Sequence, residues 1–155
     1  MDITLKPLDD NDIDLIQHWM EKEHIQKWYH EPDEWIHEMR QRNGEFSFLR
    51  HYMLLEDEVL FGFCQYYDCF YAQEEWYSVE MAGQIYSIDY LIGEEAYLRK
   101  GYGKAIVKAL VNKIKAESPE AKIIVQPEEE NLPSCKALLA SGFIFDDEKR
   151  YYILV

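Results

Sequence analysis

Apolar residues recur along this chain at several distinct spacings, and each spacing predicts a different element. Ile3-Thr4-Leu5 reads as a short strand. The polar run Asp9-Asp10-Asn11-Asp12 supplies side-chain oxygens that can cap a helix carrying Ile13, Leu15, Ile16, Trp19 and Met20. Pro32 suits the first turn of a second helix through Trp35, Ile36 and Met39, where its missing N–H costs nothing. From Phe46 to Phe70 the chain turns β-branched, aromatic and aliphatic, and the break at Glu56-Asp57-Glu58 predicts a hairpin turn between two strands. Tyr71 to Gly83 is acidic and aromatic and reads as a loop.

Gln84 to Ile92 alternates as a strand does. After a turn through Gly101 and Gly103, Ala105, Ile106, Ala109, Leu110 and Ile114 fall at helical spacing and stop near Ser118-Pro119. Lys122 to Val125 reads as a short buried strand, and Pro133 to Ser141 as a helix stopped by Gly142. Two strands close the chain, around Phe143-Ile144-Phe145 and from Tyr151 to Val155. The order β-α-α-β-β-β-α-β-α-β-β predicts an α+β fold on a mixed, mostly antiparallel sheet flanked by helices. No repeat or Pro/Gly/Ser linker divides the chain, so residues 1–155 read as one domain.

Composition narrows the partners. Hydrophobic residues make up 48% and aromatic ones 15%, too apolar for a disordered segment. Thirty acidic against sixteen basic side chains give a formal charge of −14, which repels phosphate backbones and anionic lipid and favours a cationic ligand. Nucleic acid and membrane are therefore not expected partners. Cys64, Cys69 and Cys135 lack metal or redox spacing and read as buried free thiols. The histidines lack metal-ligand spacing, and no metal is expected. The first residues carry no apolar targeting run, which points to the cytoplasm.

The turn Arg99-Lys100-Gly101-Tyr102-Gly103-Lys104 carries the sharpest chemical signal. A strand leading through Gly-x-Gly into a helix collects free N–H groups and the positive end of the helix dipole, and three basic residues reinforce it in an acidic chain. Such a turn can hold a pyrophosphate, or can be a tight turn with a solvated basic flank. A dinucleotide fingerprint needs a third glycine at Ile106, and a phosphate-binding P-loop needs Ser or Thr at Ala105, so neither applies.

With Gly101 and Gly103 at a strand-to-helix junction, Asn131 after the next strand, and Gly142-Phe143 closing the following helix, the chain resembles the GNAT superfamily of acyl-CoA N-acyltransferases. Within that superfamily it is most similar to aminoglycoside 6'-N-acetyltransferases, through Ser87-Ile88-Asp89-Tyr90-Leu91-Ile92 and the glycine turn. The resemblance implies a GNAT fold, acetyl-CoA as cosubstrate, and cofactor contacts from Leu91, Ile92, Arg99, Lys100, Gly101, Tyr102, Gly103, Lys104 and Asn131. It assigns Asp89 as the general base or ammonium anchor; without it, Asp89 reads either as a strand-end carboxylate able to bind an ammonium and take its proton, or as a strand-end turn or buried ion pair. Three positions depart from the family pattern. Leu98 stands where the turn has Gln or Arg, leaving the phosphates to backbone N–H groups. Leu138 stands where a Tyr protonates the leaving thiolate, leaving Tyr151, Tyr152 or solvent. Gln126-Pro127 stands where Asp-Pro is expected.

For the acceptor, a polycationic amine needs carboxylates around an aromatic floor, and Trp28, Tyr29, Glu74, Glu75, Glu80, Trp76 and Gln126 are the candidates alongside Asp89. The same acidic loop reads equally as a solvated turn, and Trp28 and Trp35 as helix packing. The expected activity is acetyl transfer to an aminoglycoside antibiotic, at the 6'-amine, by direct attack in a ternary complex. A protein N-terminus or small polyamine as acceptor, or an acyl-CoA sensor without turnover, are the alternatives. The protein is expected to act as a monomer or homodimer.

Overall fold

The computed structural model describes residues 1–155. At the front, the polar run forms a reciprocal cap. The Asp9 carboxylate accepts from the Asn11 N–H at 2.8 Å, and the Asp9 N–H donates to Asp12 at 3.0 Å. This cap follows strand β1 (Thr4–Pro7) and opens a short 3-10 turn that runs into helix α1 (Ile13–Met20). A single turn, α2 (Glu23–Gln26), precedes α3 (Pro32–Arg40), which starts on Pro32 as expected.

Strands β2 (Leu49–Glu56) and β3 (Val59–Asp68) are joined by a two-residue hairpin whose Asp57 and Glu58 have φ of 48° and 66°. Both lie in the left-handed region, which matches the twist of paired strands. After another single turn, α4 (Cys69–Ala72), come β4 (Ile85–Ile92), α5 (Tyr102–Glu117), β5 (Lys122–Val125), α6 (Leu132–Ala140), β6 (Ile144–Asp146) and β7 (Tyr151–Leu154). The predicted order holds except for α2 and α4, each too short to leave a helical period in the sequence.

All seven strands form one sheet in the order β1-β2-β3-β4-β5-β7-β6, and β4 with β5 is its parallel pair. Alternation sorts the side chains. Even positions such as Cys64, Tyr66, Tyr86 and Ile88 bury against α5 and α6 in the larger core, with Ile106, Val107, Leu110, Ile114 and Leu138. Odd positions Met53, Phe63 and Leu91 bury against α1 and α3, with Ile16, Trp19, Ile36 and Met39. The three cysteines are free and buried. No helix is long and apolar enough to cross a membrane.

The feature that positions a site is the parting of β4 from β5. The pair is in register only at Ile85 with Lys122 and Tyr86 with Ile123. Beyond Tyr86, β4 continues to Ile92 with its edge toward β5 open, while β5 turns to pair with β7. The result is a slot through the sheet, flanked by α1 to α3 on one face and by the start of α5 and of α6 on the other.

Candidate active site

A cleft of about 1220 Å³ follows this slot from one face of the sheet to the other. Its α5 side is built mainly from backbone. Gly101 caps α5 at φ 84° in the left-handed region, with no side-chain cap, and Arg99 also takes a positive φ of 62°. The first N–H groups of α5 are thus left for a ligand. Gly103 is needed for a different reason: a Cβ there would lie 3.2 Å from Tyr90 Oη and 3.4 Å from Ala137 Cβ. Arg99, Gly101, Tyr102, Gly103, Lys104 and Asn131 all line the cleft. Lys100 does not; its exposed side chain stands outside the wall. Tyr102 contributes through its position in the turn, since its hydroxyl donates to Glu56 at 2.5 Å and its ring packs on Phe61 and Tyr97. Asn131 caps α6 by accepting from the Ser134 N–H at 3.4 Å.

Leu91 and Ile92 differ in placement. Both line the cleft, but Leu91 pairs with Phe63 and buries its side chain in the front core. The residues whose backbone faces the open edge of β4 are Tyr90 and Ile92. Their carbonyls are already taken, by the Tyr29 hydroxyl and by His24 Nε2 at 2.9 Å, and the N–H of each residue points the same way as its carbonyl. The strand preference for odd and even positions was readable in the sequence, but which edge would be open was not.

The opposite side of the cleft is built from side chains. Asp89 lies on the α1–α3 face and accepts from Gln65 Nε2 at 2.9 Å. Burial, reinforced by the charges of Glu74 and Glu38 and opposed by the Gln65 hydrogen bond, raises its pKa to about 7. Glu38 on α3 is also raised to about 7, by burial first and then by Glu74 and Glu34. No basic side chain pairs with Asp89, Glu38 or Glu74; the ion pairs of the chain lie elsewhere. Trp28, Tyr29, Trp35, Tyr67 and Trp76 supply aromatic walls, with Trp76 Nε1 donating to Glu74.

Of the expected acceptor residues, Trp28, Tyr29, Glu74, Asp89 and Gln126 line the cleft, whereas Glu75 and Glu80 are exposed outside it. The Glu80 N–H donates to Gln84 instead, at 3.2 Å. Loop residues alternate in direction without a regular period, so the acidic stretch could not reveal which carboxylates turn inward. Glu38, Gln65 and Lys136 are cleft residues that sequence reasoning missed. Gln65 left a signal, a lone amide in the apolar run of β3; Glu38 left none, because it sits on a helix face that reads as solvated. Leu138 is fully buried. Tyr151 packs in the core beside Trp76, Tyr152 packs on Phe145, and neither lines the cleft.

A mixed sheet parted between two parallel strands, with a glycine-capped helix at one mouth of the slot and unpaired carboxylates at the other, suits a group-transfer protein, with room for an anionic ligand at one end and a cationic one at the other. Residues 9–150 match the family model for the acetyltransferase (GNAT) domain, and the chain belongs to that acetyltransferase family. It is 23% identical over 148 residues to the aminoglycoside N(6')-acetyltransferase type 1 of Klebsiella pneumoniae, covering 91% of this chain and 73% of that protein. Among solved structures, it resembles the aminoglycoside acetyltransferase AAC(6')-Ib in complex with coenzyme A and kanamycin. That match has a TM-score of 0.82 and 21% identity over 99% of this chain and 95% of that one. The spermidine N-acetyltransferase of Vibrio cholerae, in complex with CoA and spermine, has a TM-score of 0.71 and 13% identity, covering 97% and 91%.

Proposed function

We propose that this acetyltransferase moves the acetyl group of acetyl-CoA to a primary amine of an aminoglycoside, the 6'-amine in that class, by direct attack in a ternary complex. The observation that carries the reading is the continuous cleft, which joins the glycine-capped start of α5 to an aromatic pocket of carboxylates lacking cationic partners. The pyrophosphate rests on the backbone N–H groups of residues 99 to 104, with Lys104 and Lys136 adding charge. The acyl chain then follows the open edge of β4, where the N–H groups of Tyr90 and Ile92 polarise the thioester carbonyl.

The acceptor enters from the other face. Its ammonium groups are drawn to Asp89, Glu38 and Glu74, and its sugar faces to Trp28, Tyr29, Trp35 and Trp76. Asp89, raised to about 7 and therefore basic enough at neutral pH, takes the proton from the attacking ammonium. The nitrogen attacks the carbonyl carbon, gives up its second proton to solvent as the C–S bond breaks, and solvent protonates the leaving thiolate, with Leu138, Tyr151 and Tyr152 lying off the cleft wall.

The test is thiol release from acetyl-CoA in the presence of a kanamycin-type aminoglycoside, a polyamine or a peptide. Release with the aminoglycoside at a kcat/KM well above that for the other two is expected. Preferential release with spermidine would move the acceptor to polyamines, a reading favoured by the same unpaired carboxylates. Release with the peptide alone, or none with any amine, would contradict acetyl transfer to a small polycation.

A further inference from the structure

Three buried side-chain atoms find no hydrogen-bond partner: His51 Nδ1, His51 Nε2 and Gln65 Oε1. They belong to one row. His51 on β2 is the cross-strand neighbour of Gln65 on β3, and Gln65 is the cross-strand neighbour of Asp89 on β4. All three are odd positions facing the front helices, and side chains directly opposite on adjacent strands stand close enough to interact. Gln65 is 2% exposed and His51 6% exposed, so water does not freely satisfy either. Buried polar atoms are nearly always paired, and an unpaired acceptor on one strand opposite an unpaired ring donor on the next can be joined by one bridging water.

We propose that His51 and Gln65 are positioning residues for Asp89. A His51 ring N–H, through one bound water, holds Gln65 Oε1, so that the Gln65 amide keeps its N–H edge on the Asp89 carboxylate. This inference rests on the role given to Asp89 above. An amide has one donor edge and one acceptor edge, and only the donor edge favours ionised Asp89. Without a partner on Oε1, the amide can turn over and accept from protonated Asp89, which keeps the proton on the carboxyl. His51 suits a fixed donor: burial and the nearby Arg42 guanidinium lower its pKa to about 4, so at neutral pH the ring is neutral and carries one N–H. Arg42 itself is engaged by the Met39 carbonyl and by Asp10, both at 2.8 Å. Asp89 is faced by Glu38 from α3, Glu74 from the loop after α4, and the phenols of Tyr29 and Tyr67.

The test is the titration of the Asp89 carboxyl followed by carbon NMR in the protein free of ligands, which needs no turnover. Gln65→Leu should raise the Asp89 midpoint by about one pH unit. His51→Phe should raise it by a smaller amount in the same direction, and His51→Gln, which keeps a buried N–H donor, should return it toward the wild-type value. A His51→Phe protein that melts earlier but titrates Asp89 as wild type does would overturn the proposal, leaving His51 as packing alone. The wild-type His51 ring gives a second check. Its N–H resonance should shift in Gln65→Leu, and an unchanged resonance contradicts the pairing even if His51→Phe does not fold. Failure of the catalytic reading is separate, since Asp89→Asn with unchanged turnover removes the base role without altering these titrations.

Discussion

The two ends of the cleft are built by different means. On the α5 side the cleft-facing groups are backbone N–H donors, fixed by two glycines and a helix start, where what the chain needs is the absence of bulk. On the α1–α3 side the groups are carboxylates and aromatic rings brought from α3, β3, the loop after α4 and β4, and identity is everything. A backbone cradle serves one unvarying anionic group. A side-chain pocket can be retuned for different amines without disturbing it. The contrast predicts that damage at one end should read out in acetyl-CoA binding and damage at the other in acceptor terms.

The largest effect should come from the residue where the two ends meet. Asp89→Asn should lower kcat about 10²- to 10⁴-fold, the usual contribution of a positioned base, with the acetyl-CoA Kd from calorimetry unchanged. Next, Gly101→Val and Gly103→Val should each weaken acetyl-CoA binding about 10- to 100-fold. The first forces a β-branched residue into left-handed backbone, and the second pushes a methyl-bearing side chain into Tyr90 and Ala137. Lys104→Ala should cost only about 2- to 5-fold in the same assay, since its exposed ammonium acts through screened charge. A Lys104 effect equal to that of the glycines would mean that charge rather than backbone holds the phosphates.

At the acceptor end, Glu38→Gln should raise KM for a dicationic or larger amine about 3- to 10-fold and leave a monoamine nearly untouched. The pH dependence should be weaker still and of defined sign. Asp89 and Glu38 both sit near 7 in the folded protein against ordinary values of 3.8 and 4.5, so the folded state holds more protons between those limits. Their contribution to stability is therefore complete below about pH 4 and falls as pH rises through about 7. The melting temperature of Glu38→Gln should decline less over that range than that of the wild type. Likewise kcat/KM should rise with pH up to about 7 as Asp89 ionises, and a flat profile would exclude it as the titrating base.

The same contrast decides what could be read from the sequence. Gly101-x-Gly103 between a strand and an amphipathic helix specifies its own local backbone, so the glycine-capped start of α5 and the order of elements around it were legible. The parting of β4 from β5 was not, because it depends on where β5 ends and turns to β7, a tertiary matter that leaves no local period. It follows that Leu91 and Ile92 were paired in expectation, and although both line the cleft, only Ile92 of the two turns its backbone to the open edge. Glu74 was found together with Glu75 and Glu80 because a loop gives no rule for direction. Glu38 was missed because its helix position reads as solvent-facing until α3 is folded over the cleft. Gln65 and His51 are polar residues within apolar strands, a signal that went unread, and their row with Asp89 exists only once the register of three strands is known.

The slot as the meeting place of donor and acceptor is measured most directly by a crystal structure of the ternary complex with coenzyme A and a kanamycin-type amine. The expected result is a pyrophosphate on the N–H groups of residues 99 to 104, the thiol at the open edge of β4 near Tyr90 and Ile92, and an amine nitrogen about 3 Å from Asp89. Coenzyme A seated away from Gly101, or an amine held on the outer loop by Glu75 and Glu80 with Asp89 untouched, would contradict it.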